Sequence, residues 1–70
     1  MHSSALVHET ATIGNGTQVW VNVQIREGAK VGRACVISKD VYVDHDVVLG
    51  DRCKIQNGVS IYHGVTLGDD

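Results

Sequence analysis

An aliphatic residue returns at every sixth position from one end of this chain to the other: Val7, Ile13, Val19, Ile25, Val31, Ile37, Val43, Leu49, Ile55, Ile61 and Leu67, with no exception and no insertion. Few folds accept that clock. In an α-helix a step of six residues turns through about 600°, which smears apolar side chains around the cylinder instead of gathering them into a stripe. A β-sandwich needs alternating runs of five or more residues between irregular turns, and the chain has none. What remains is a solenoid in which each hexad supplies one short strand and one corner.

A second register runs in phase with the first. Four residues after each of the first ten aliphatics stands Ala11, Thr17, Val23, Ala29, Cys35, Val41, Val47, Cys53, Val59 or Val65, small or β-branched every time. Each hexad therefore has two inward positions. The glycines keep the same time: Gly14, Gly32, Gly50 and Gly68 follow the aliphatic by one residue, and Gly16, Gly28, Gly58 and Gly64 follow it by three. That third position also holds Asn22, Asp40 and Asp46. Gly, Asn and Asp are the residues that most readily take positive φ, so the third position reads as the corner.

Composition agrees with this reading and narrows the partners. The apolar 43% is almost wholly Val, Ile, Leu and Ala, with Trp20, Tyr42 and Tyr62 the only Phe, Trp or Tyr residues, a palette for strands and not for a compact aromatic core. A formal net charge of −2 gives no electrostatic reason to bind nucleic acid or an anionic membrane. No run approaches the roughly 20 apolar residues of a bilayer span, and the opening MHSSALVHETAT lacks a basic segment followed by an apolar one; a cytoplasmic location is expected. Cys35 and Cys53 are too few for a secreted disulfide framework and read as reduced thiols. With no proline, low-complexity stretch or charge run to mark a boundary, residues 1–70 read as a single domain.

The hexads IGNGTQ, VGRACV, LGDRCK, IQNGVS and IYHGVT resemble those of the bacterial hexapeptide acyltransferases. The resemblance implies an all-β, left-handed parallel β-helix with three hexads per coil, so that the eleven hexads here make a little under four coils. It also implies that the 70 residues are shortened relative to the family, which continues into further coils, a projecting loop and usually a C-terminal helix. The stretch GDRCKIQNGVSIYHGVTL is similar to the equivalent part of the acetyltransferases that act on 3-amino nucleotide sugars, with Gly58, His63 and Gly64 as departures from their pattern. Acetyl-CoA as co-substrate and an amino nucleotide sugar as acceptor are what that similarity implies, with no resident cofactor.

With 18 residues to a coil, the sequence resolves into columns. Gly14, Gly32, Gly50 and Gly68 form one; Cys35 and Cys53 form another, inward on neighbouring coils about 4.8 Å apart, where they are core residues and not a disulfide. A rod this thin has a weak core of its own and needs a second source of burial. Trp20, in an outward position beside Val21, points to it: we expect a subunit interface, in agreement with the family's trimers.

His45 and His63 occupy the same hexad position one coil apart and are the neutral-pH acid–base candidates. They are expected to lie one above the other, with Asp44 and Asp46 beside them. The resemblance makes His63 the candidate catalytic base, with Asn57, Tyr62 and His45 as the nearest candidates for substrate binding. His2 and His8 have no histidine in register and receive no role. The γ-class carbonic anhydrases share this type of coil and hold zinc through three histidines, but Tyr62 stands where one of those would fall and His63 is one residue late. Three ligands are the minimum for a catalytic zinc, so no metal site is expected. Two classes of function follow: an acetyl-CoA-dependent sugar N-acetyltransferase, or a non-catalytic trimeric scaffold or relic of one. On either, the 70 residues alone are expected to transfer no acetyl group at a useful rate, because a base without oxyanion donors or a CoA channel is not a whole active site.

Overall fold

A computed structural model describes residues 4–69; His2 lies outside them. Eleven two-residue strands follow one another at six-residue intervals: β1 Leu6–Val7, β2 Thr12–Ile13, β3 Gln18–Val19, β4 Gln24–Ile25, β5 Lys30–Val31, β6 Val36–Ile37, β7 Tyr42–Val43, β8 Val48–Leu49, β9 Lys54–Ile55, β10 Ser60–Ile61 and β11 Thr66–Leu67. They assemble into three parallel sheets, ordered β1-β4-β7-β10, β2-β5-β8-β11 and β3-β6-β9. Every pairing joins residue i to residue i+18, as in Leu6 with Gln24 and Val36 with Lys54. The chain is a parallel β-helix with three strands per coil, three complete coils and two further strands, and no helix among the described residues.

Two hydrogen-bond ladders lock one coil to the next. Along the strands an N–H reaches a carbonyl 17 residues ahead, for example Leu6 N to Val23 O at 2.8 Å and Gln18 N to Cys35 O at 2.8 Å. At the corners the N–H points back 19 residues: Asp40 to Val21 O at 3.0 Å, Asp46 to Glu27 O at 3.0 Å, Arg52 to Arg33 O at 2.8 Å. The corner residue that makes the backward bond has positive φ, and the rule extends beyond the residue types that signal it in sequence. Ala34 (φ 56°) and Arg52 (φ 61°) adopt it along with Asn22, Asp40, Asp46 and four glycines. A left-handed non-glycine residue costs about 1–2 kcal/mol, and the coil-to-coil bonds at Ala34 and Arg52 offset it. Thr10, the β-branched corner residue, is absent from the positive-φ set, as its crowded Cβ dictates.

The core is the expected one. All fourteen buried hydrophobic residues, from Val19 to Ile61, sit at the two inward positions of a hexad. Val7, Ala11, Ile13 and Val65 are partly covered, while Val59 and Leu67 are exposed, each of these lacking a stacked neighbour on one side within the 70 residues. Cys35 and Cys53 are buried free thiols.

Thr17 is polar and inward-facing, and it shows how this column is satisfied. Its Oγ1 donates to Gly32 O at 2.6 Å and accepts from Cys35 N at 3.1 Å. Cys35 Sγ then donates to Gly50 O at 3.1 Å and Cys53 Sγ to Gly68 O at 3.0 Å. Burial, first among the causes, and the neighbouring Cys35 push the Cys53 thiol above its ordinary value, so Cys53 is not poised as a nucleophile. The glycine column that supplies the acceptors is demanded by space: a Cβ on Gly32 would stand 2.5 Å from Gly50 O and 2.6 Å from its carbonyl carbon.

Candidate functional site

The outward residues decide what this rod can do, and one corner gathers most of the chemistry. β7 and β10 pair in register, Ser60 with Tyr42 and Ile61 with Val43. The residues two places beyond each strand, His45 and His63, are thereby brought to equivalent corners of adjacent coils. Their rings stack face to face, centroids 4.9 Å apart and planes within 6° of parallel.

Asp44 sits between the two histidines and their support. Its backbone N–H donates to Ile61 O at 2.9 Å, which fixes the residue against the next coil. Its Oδ1 accepts from the His45 N–H at 2.7 Å and from the Tyr42 hydroxyl at 3.4 Å; its Oδ2 lies 3.5 Å from His63 Nδ1. The Tyr42 hydroxyl in turn accepts from Arg26 at 3.0 Å, and Arg26 pairs with Glu27 at 2.9 Å. The Asp44 side chain is only 16% exposed, against 67% for His63. The His45 N–H, first among the causes, holds the Asp44 carboxyl below the usual carboxylate range, against an opposing push from desolvation. Asp44 is thus a fixed anion whose free oxygen faces His63. A proton on His63 Nδ1 directed at that oxygen leaves Nε2 as the outward lone pair, the arrangement of a general base with an orienting carboxylate. His45 Nδ1 lies 3.3 Å from Asp46 Oδ2.

The residues singled out from sequence divide between two corners. His45, His63 and Tyr62 share the site, Tyr62 with 68% of its surface exposed. Asn57 does not join them: it belongs to the preceding corner, after β9, where it lines a groove with Trp20, Val21, Val36, Ser38 and Lys39. Asn57 and Tyr62 are only five positions apart along the chain, but β10 intervenes and each strand carries the chain to another face of the triangular coil. Tyr42 and Arg26 are additions that the sequence did not mark. Tyr42 is a strand residue on the outward face and Arg26 lies 18 positions before Asp44, so the coil length alone locates that column. Asp44, His45 and His63 also place three potential metal-ligand atoms within 4.8 Å of one another.

A family model described as bacterial transferase hexapeptide (six repeats) matches residues 29–61. That span, just under half of the chain, covers β5 to β10, takes in Asp44 and His45, and is wound as a β-solenoid. No curated protein matches the chain. No helix among the described residues is long and apolar enough to cross a membrane.

Proposed function

We propose that this chain is the coil of an acyltransferase that moves an acetyl group from acetyl-CoA to the amine of a nucleotide sugar, with His63 as the base. The observation that carries the reading is the Asp44–His63 pair on a coil whose residues 29–61 match a bacterial transferase family. In that role His63 Nε2 takes the proton as the acceptor amine attacks the thioester carbonyl. The tetrahedral intermediate then collapses, the C–S bond breaks and the CoA thiolate leaves. Asp44 steadies the imidazole; Tyr62 and His45 flank the place where the acceptor would lie.

The site is open, with His63 two-thirds exposed, and a positioned base contributes about 10²–10⁴-fold by itself. Thiol release from acetyl-CoA with 3-amino and 4-amino nucleotide sugars is therefore expected to be slow, well below about 1 s⁻¹, and to fall to the uncatalysed rate in His63→Ala. Equal rates in the two proteins would remove the base and leave a scaffold.

The scaffold reading draws on the other corner. Trp20 is 50% exposed over a groove with Val21 and Val36, an apolar strip of the kind that marks association. We propose that this face joins three copies of the chain. Sedimentation equilibrium at micromolar concentration is expected to show a trimer, and Trp20→Ala to dissociate it, at a cost of about 2 kcal/mol or more per anchor removed. A 7.5 kDa monomer in the unmodified protein would refute the assembly and leave the transferase proposal to stand on its own assay.

A further inference from the structure

Two histidines in register are one ligand short of a metal site, and no third histidine falls in their column. The fold supplies the missing donor from the residue beside them. Asp44, His45 and His63 each offer one ligand atom, all within 4.8 Å of one another. We propose that these three side chains, from two adjacent coils of a single chain, bind a divalent transition ion, Zn²⁺ foremost.

Distances favour it. Zinc holds nitrogen at about 2.0–2.1 Å and carboxylate oxygen at about 2.0–2.2 Å, which at a tetrahedral angle sets N and O about 3.4 Å apart. His63 Nδ1 and Asp44 Oδ2 stand 3.5 Å apart. That is long for a hydrogen bond and already close to one edge of a zinc tetrahedron. His45 is the ligand that must move: its ring is stacked parallel to that of His63, centroids 4.9 Å apart, so it must turn out of the stack to aim a nitrogen at the same ion. The His45 side chain is 45% exposed, and turning it gives up its 3.3 Å contact with Asp46 and its stacking on His63.

The surroundings are those of a supported ligand set. Asp44 Oδ1 is held by the His45 N–H and by Tyr42, which is itself held by Arg26. These contacts orient the carboxylate and leave Oδ2 for the ion, the work that outer partners do around metal ligands. Two imidazoles and one carboxylate suit Zn²⁺, Ni²⁺ or Cu²⁺ and are a poor match for Mg²⁺ or Ca²⁺, which take mainly oxygen. The fourth position is open to water, because His63 faces solvent. The site does not rest on the transferase reading, since binding is measured without turnover.

The test is calorimetric titration of the chelator-stripped 70-residue protein with ZnCl₂ at about pH 7.5, since metal affinity falls as ligands are protonated. One ion per chain is expected. His45→Ala, His63→Ala and Asp44→Asn are each expected to weaken binding about tenfold or more, while a His2→Ala/His8→Ala double variant binds as the parent does. Co²⁺ should give visible d–d absorption in the parent that is lost in His63→Gln, a change at an exposed side chain that leaves the coil intact by far-UV circular dichroism. No heat at about 100 μM protein, unchanged affinity in the His45 and His63 variants, or loss of binding in the His2/His8 variant would each overturn the site.

Discussion

Replacing Gly32 with alanine is expected to destabilise the coil by about 3 kcal/mol, at the upper end of what overpacking costs. The added Cβ meets the Asp51 carboxylate, with Oδ1 at 2.5 Å, and also backbone that cannot swing away: Gly50 O at 2.5 Å and Gly50 C at 2.6 Å. Relief would require separating two coils whose spacing is set by their ladder, about 4.8 Å, and by Gly32 N to Leu49 O at 3.0 Å in particular. It would also pull Gly50 O away from Cys35 Sγ and disturb Asp51, whose Oδ1 accepts from Arg33 N at 2.8 Å. Two other glycines separate this cause from conformational freedom. Gly58→Ala has open space around its Cβ but φ of +73°, so it should cost only the left-handed penalty of about 1–2 kcal/mol. Gly68→Ala belongs to the same column as Gly32, has open space and no positive φ, and should change the urea midpoint very little. Similar midpoints for Gly32→Ala and Gly68→Ala would show that the coils can part at small cost and would sink the steric argument.

The contrast between these glycines marks how far the sequence can be read. The hexad clock was legible because the period of burial and the period of the backbone ladder are the same number: a residue that points inward must recur each time the chain passes the same face. That is why Val19, Cys35 and Ile61 could all be placed inside without coordinates. The stacking of His45 on His63 followed from the same arithmetic.

Outward side chains obey no such period. Nothing in the pattern says that Asp44 turns one oxygen to the His45 N–H and the other to His63, or that Tyr42 and Arg26 support it, because each of those contacts is a rotamer choice and not a register. Asn57 shows a different limit. It stands five positions before Tyr62 as a candidate for substrate binding, and a single two-residue strand carries the two to different faces. At the corners, Ala34 and Arg52 took a conformation that their own preferences oppose, since the backward hydrogen bond belongs to the coil and not to the residue.

The remaining large effect concerns the middle of the rod, where Ile37→Ala is expected to cost about 2–5 kcal/mol. Ile37 is fully buried and sits in register between Val19 on one coil and Ile55 on the next. Deleting its side chain opens a cavity that touches both. In a solenoid each coil is stabilised by its neighbours alone, so stability is a sum of coil terms and interface terms along one axis. A cavity at Ile37 weakens two interfaces together, and the coils on either side lose their contact through that face. Ile13, only partly covered near the first coil, touches Val31 on one side; Ile13→Ala should cost less than half as much. Hydrogen exchange adds position to the comparison. The Trp20 and Ser38 amides, which donate to Ile37 O and Ile55 O at 3.0 Å each, should lose protection in Ile37→Ala before amides bonded within the β7–β10 pair. Equal, small losses at Ile13 and Ile37 would mean that burial is shared along the whole rod, and the nearest-neighbour description of this coil would fail.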